Sequence, residues 1–133
     1  MMDRAMLIAS GVAGFLAVAF GAFGAHGLKS RLEPLSDGAL RLSWWQTGAQ
    51  YHLAHALAIA VAAWLVSRGG GTAAAVSGWA FVAGIVLFSG SLYVMTLTGV
   101  RGLGAVTPIG GVAFLVGWAA VVVAAIRMAG SSS

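Results

Sequence analysis

Cysteine is absent from this chain of 133 residues, and acidic side chains number only three. Without a thiol there is no disulfide, no thiolate metal site and no cysteine nucleophile. The acids, Asp3, Glu33 and Asp37, stand at the margins of long apolar stretches, so none is placed inside one to orient a histidine base. Charge of either sign is scarce. Charged residues make up 8% of the chain against 60% hydrophobic, where soluble domains carry about 25% charged. A soluble fold of this length cannot hide so much apolar surface, which makes lipid the main solvent. Seven basic residues give a formal charge of +4, but they are scattered at segment ends. They form no basic run of the kind that binds nucleic acid.

What is present is long apolar runs. Arg4 ahead of the run at 5–23 resembles a secretory signal, yet the run exceeds the roughly 7 to 15 apolar residues of such signals. It reads as a retained first span. The spacing predicts four spans, at about 5–27, 38–66, 73–97 and 106–128, each long enough for ~30 Å of hydrocarbon at ~1.5 Å per residue. Between the first two, Lys29, Arg31, Glu33, Asp37 and Arg41 alternate with leucines as an interfacial segment. Pro34 breaks any helix there, and Ser36 or Asp37 can cap the next one. Trp44 and Trp45 are expected at the water–lipid boundary. A glycine turn around Arg68 and a glycine-rich loop around Arg101 supply the other connections, and Pro108 suits a first helical turn. The tail from Gly130 to Ser133 is expected to fray. The fold class is therefore all-α, a four-helix up-down-up-down transmembrane bundle formed by one integral membrane domain, 1–133. Basic residues divide almost evenly between the two sides, so the positive-inside rule does not choose an orientation.

The unusual residues gather at one end of these helices: His26, then Thr47 to His55, then Ser89 to Tyr93, then Thr107. At 100° per residue Thr47, Tyr51, His52 and His55 share one arc, with Gln50 on its edge. Unpaired polar groups in hydrocarbon are costly, so this set is expected to face the bundle interior. One outcome is that neutral imidazoles hydrogen-bond Ser89, Ser91, Tyr93 or Thr107 across the bundle. A second is a metal or haem site using His26, His52 and His55, an i, i+3 pair with a third ligand from span one. A third is a proton-linked channel or carrier using the titratable rings. Ser89 and Ser91 lack a nucleophile elbow and an orienting acid, so an enzyme is not expected. Small residues at Gly14, Ala17, Gly21, Gly24 and Ala25, and at Gly110, Gly111 and Gly117, are expected to form close-packing helix faces.

Taken together, residues 21–28 (GAFGAHGL), 47–52 (TGAQYH), 55–57 (HAL), 87–93 (LFSGSLY), 107–111 (TPIGG) and Gly117-Trp118 resemble the transmembrane protein 256-like family, whose bacterial members carry domain of unknown function 423. The resemblance covers almost the whole chain in the same order. It implies a small four-helix protein of bacterial inner membranes, or of mitochondria in eukaryotes, and brings no active-site residues with it. The expectation is a non-enzymatic, multi-pass protein of the bacterial cytoplasmic membrane with no cofactor. Its polar half-bundle of His, Gln, Ser and Tyr residues would bind a small ligand or lipid, or support assembly into a homo-oligomer or a larger membrane complex.

Overall fold

In hydrocarbon a backbone amide finds its partner only within its own helix or barrel, so proline-free apolar runs become helices. The computed structural model describes residues 1–130 and contains no strand among them. Its four long helices are α1 (Met2–Leu32), α2 (Gly38–Ser67), α3 (Gly71–Thr98) and, after a 3-10 turn at Arg101–Ala105, α4 (Thr107–Gly130). All four stretches are long and apolar enough to cross a membrane, as the sequence led us to expect. α1 takes in Lys29 and Arg31 of the interfacial segment, leaving 33–37 as a turn. Gly130 ends α4, and the rest of the tail lies outside the described residues.

Three tight reversals join the helices. At Gly38 an added Cβ would overlap the Leu32 carbonyl oxygen, so only glycine lets α2 turn back under the end of α1. Asp37 occupies the N-cap of α2 without a side-chain cap bond; its carboxylate instead lies 3.8 Å from Arg41 and 3.9 Å from Arg101. Gly69 and Gly71 adopt φ of +83° and +63° to reverse α2 into α3. At the far end of α3 the Arg41 guanidinium donates to the carbonyls of Thr96 (2.8 Å) and Leu97 (3.1 Å), while Thr96 Oγ1 donates to the Arg41 carbonyl at 3.0 Å. A cation thus meets the carbonyls that a helix C-terminus leaves without partners.

The helices pack as a row: α1 against α2, α2 against α3, α3 against α4, with α1 and α4 not packed together. Half of the apolar window is buried in α2 and in α3, against 11% in α1 and 22% in α4. Both outer helices therefore turn most of their surface to lipid. Trp45 is buried between helices, and its indole N–H donates to the Phe20 carbonyl of α1 at 2.7 Å. Trp44 lies nearer the surface, with the Arg101 guanidinium 5.9 Å above its ring.

Glycines set the closest helix contacts. Between α3 and α4, Phe114 occupies the space a side chain at Gly84 would need, Phe81 that at Gly117, and the Phe88 backbone that at Gly110. The small faces expected at Gly110 and Gly117 thus pack as such. On α1 the outcome is mixed. Gly24 receives Trp45, but a Cβ at Gly14 or Gly21 would meet nothing within 4 Å. That difference is measurable. Gly110→Ala should cost about 1 to 3 kcal/mol through overpacking, whereas Gly14→Ala should be neutral or stabilising by up to about 1 kcal/mol through helix propensity. Reversible unfolding in bicelles decides, and equal effects at the two sites would contradict the packing described.

Candidate functional site: two histidine layers and a lateral groove

Three steps of 100° set His52 and His55 about 60° apart around α2. In a row of helices that angle sends them to different neighbours. His52, 3% exposed, faces α1 and α3. Its Nδ1 lies 2.9 Å from the Tyr93 hydroxyl. Phe20 packs beside both partners, with centroids 6.1 Å from His52 and 5.1 Å from Tyr93. Trp45 closes the layer 4.5 Å from Tyr93.

His55, 6% exposed, faces α3 and α4. Its Nδ1 lies 2.7 Å from the Tyr51 carbonyl, and the Trp118 indole N–H donates to Nε2 at 3.1 Å. The ring stacks on Phe114 at 3.6 Å between centroids and 11° between planes. Phe81 and the exposed Tyr51 ring complete this layer.

Partner chemistry fixes the proton on one ring. A carbonyl only accepts and an indole N–H only donates, so His55 carries its proton on Nδ1 and offers Nε2 as acceptor. At His52 the Nδ1–Tyr93 bond can run with either atom as donor. Both ring nitrogens of His55 are engaged.

Of the residues singled out by sequence, His52, His55, Ser89, Ser91 and Tyr93 are buried, but they do not form one cluster. Of the partners expected for the imidazoles only Tyr93 takes that place. Ser89 donates to the Gly48 carbonyl at 2.7 Å; Ser91 donates to the Phe88 carbonyl and shares a 2.6 Å bond with Thr107. Among the described residues no serine hydroxyl rests on an imidazole. Thr47 and Gln50 are exposed, and Tyr51 is exposed at the border of the His55 layer, because the buried arc runs through Trp45, Gly48, His52, His55 and Ile59 instead. His26 is exposed as well. The helix widens into a π turn over Gly24–Leu28, which keeps Gly24 and Leu28 inward and leaves His26 on the outer surface. Among the described residues no group of three His, Cys, Asp or Glu side chains could hold a metal ion. Ligation through His55 Nε2 would first have to break its bond to Trp118.

Sequence reasoning missed Phe114 and Trp118, which complete the His55 layer, and Phe20 and Trp45, which complete that of His52. A tryptophan inside an apolar span was the available signal, since its N–H needs a partner when buried.

Beside the His52 layer the structure opens. α1 meets α3 through Met6 near Gly78 at one end and through Phe20 on Tyr93 at the other. Between these contacts, small residues Ala9, Ala13 and Gly90 leave a cavity of about 580 Å³. Its walls are apolar except for His52 and Tyr93. From Ala5 to Phe20 the α1 wall covers fifteen residue steps, roughly 22 Å at 1.5 Å per step.

A family model described as a protein of unknown function (DUF423) matches residues 20–111. The chain belongs to the DUF423 family. Over 125 residues, 93% of this chain and 98% of the relative, it is 45% identical to the UPF0382 membrane protein YwdK of Bacillus subtilis. It is 44% identical to the UPF0382 inner membrane protein YgdD of Escherichia coli K12, covering 96% of this chain and 94% of that one. A UPF0382 membrane protein of Staphylococcus epidermidis is 41% identical over 96% of this chain and 99% of its own. No solved structure matches. This DUF423 protein is thus a small multi-pass protein of the bacterial inner membrane. The matched stretch takes in both histidines, Tyr93 and the Arg41–Thr96 clamp; Phe114 and Trp118 lie beyond it.

The His55–Trp118 bond gives a quantitative expectation. Trp118→Phe and His55→Phe should couple by about 0.6 to 1.7 kcal/mol in a double-mutant cycle, the range for interhelical hydrogen bonds in membranes. Additive losses of stability in bicelles would show that the two side chains do not interact.

Proposed function

We propose that this protein is a non-enzymatic membrane protein that binds a lipid-like molecule in the lateral groove between α1 and α3. The groove itself carries the reading. Its volume of about 580 Å³ falls within the ~300 to 1,000 Å³ of small-molecule sites, and it is elongated along the helices, as an apolar chain requires. The surrounding solvent supplies such chains. A molecule entering sideways needs no aqueous path, and at the closed end it meets one polar pair, His52 and Tyr93.

The lack of a serine–histidine contact among the described residues and the engagement of both His55 nitrogens support a binding role over catalysis, metal ligation or proton carriage. Assembly with a second copy or a larger membrane complex has less behind it. The outer face of α1 at Gly11, Gly14 and Gly21 is open, but it is not shaped around any polar group.

Gly90→Phe tests the groove directly. A Cβ there meets only the Ile85 carbonyl oxygen, at 3.9 Å, so the variant should fold while its ring fills the cavity. Native mass spectrometry from mild detergent should show wild-type protein retaining one lipid-mass adduct that the variant loses. An adduct that survives Gly90→Phe, or none on the wild type, would overturn the assignment.

A further inference from the structure

Resting on the groove reading above, we propose that the molecule it takes is a long apolar chain ending in an uncharged hydrogen-bonding head, an alcohol or a carbonyl, received by the His52–Tyr93 pair. The first observation is charge. No Asp, Glu, Lys or Arg lies between Arg4 and Lys29 on α1 or between Arg41 and Arg68 on α2, and α3 contains none at all. None is among the residues lining the groove. Depth adds to this. His52 stands eleven residue steps along α2 from Arg41 and sixteen from Arg68, roughly 16 Å and 24 Å of helix. A phosphate, carboxylate or ammonium group at that level would be buried in hydrocarbon without a counter-ion, which is strongly unfavourable. The headgroup of an ordinary phospholipid is therefore kept from the polar end.

The second observation is the hydrogen-bonding capacity at the closed end. His52 and Tyr93 are the two polar-tipped side chains lining the groove, and they meet at 2.9 Å between Nδ1 and the hydroxyl. A phenol has one proton and two lone pairs. The bond to His52 uses one of these three, whichever atom donates. If the phenol donates, its lone pairs remain; if it accepts, a proton and a lone pair remain. Capacity for a further partner survives in both cases. An alcohol, which donates and accepts, answers either arrangement, and a carbonyl answers the second. An alkane gains nothing from it. The rest of the wall, running back through Ala13 and Ala9 to Ala5, is apolar and suits the chain.

The test uses the full chain in phosphatidylcholine nanodiscs with radiolabelled 1-hexadecanol as the bound probe and unlabelled competitors of the same chain length. 1-Hexadecanol should compete at about fivefold lower mole fraction than hexadecane, the ratio for one buried hydrogen bond. It should compete at about tenfold lower mole fraction, at least, than hexadecanoate at pH 9 or hexadecyltrimethylammonium. 2-Hexadecanone separates the two heads: competition level with the alcohol admits carbonyls, and competition level with hexadecane confines the site to alcohols. The double variant His52→Leu/Tyr93→Phe leaves no polar-tipped side chain on the groove wall. There hexadecane should match the alcohol while both ions stay excluded, whereas a general loosening of the bundle would weaken every competitor alike. In wild type, an ion or hexadecane competing as well as 1-hexadecanol overturns the proposal, and so does a double variant that keeps the fivefold preference. Saturable binding that Gly90→Phe abolishes but that shows no head-group preference leaves the groove standing and removes the uncharged polar head. No saturable binding of 1-hexadecanol to wild type removes the groove reading itself, and this proposal with it.

Discussion

Two imidazoles three residues apart on one helix hold this protein together by facing different ways. Each must be satisfied, because hydrocarbon offers no water to a buried nitrogen. His52 finds its hydrogen-bond partner on α3 and packs beside Phe20 of α1; His55 finds its partners on its own helix and on α4. α2 is thereby tied to all three other helices within one turn. The aromatic rings around each histidine follow from the same requirement, since flat faces fill the space beside an imidazole without adding polar atoms.

The consequence is a row instead of a closed ring. α3 and α4 interlock tightly because phenylalanines on one helix fall opposite glycines on the other at Gly84, Gly110 and Gly117. α1 has no such interlock with α3. Its small residues at Ala9 and Ala13 face another small residue, Gly90, and a small face opposite a small face leaves space. The groove is therefore a product of side-chain size, with Met6 and Phe20 as the spacers at its ends. Polar bonds from Ser10 to the Ala56 carbonyl and from Trp45 to the Phe20 carbonyl hold α1 in place along α2.

Much of the architecture was legible in the chain. Apolar runs, glycine turns and Pro108 located four helices, because those features act within a few residues of one another. The partition of the polar residues was not, and the reason is geometric. Assigning Thr47 to the same interior arc as His52 assumed that polar side chains gather on one face. In the structure that face is chosen by Trp45, Gly48 and Ile59, whose packing with α1 and α3 no local pattern reveals. The π turns at Gly24–Leu28 and Ile85–Ser89 add a further rotation that a regular period cannot anticipate, and the first of them sends His26 outward. Arg41 read as an interfacial charge, yet its role is to meet the end of α3 fifty-five residues away.

The central claim is that His52 and His55 are separate cross-links to different helices, and imidazole ¹⁵N chemical shifts report the ring whose partners fix its proton. In ¹⁵N-histidine protein in lipid bilayers near neutral pH, with signals assigned by single His→Gln substitutions, His55 should show a protonated Nδ1 and a bare Nε2. A His55 ring with its proton on Nε2, or one doubly protonated, would contradict the account.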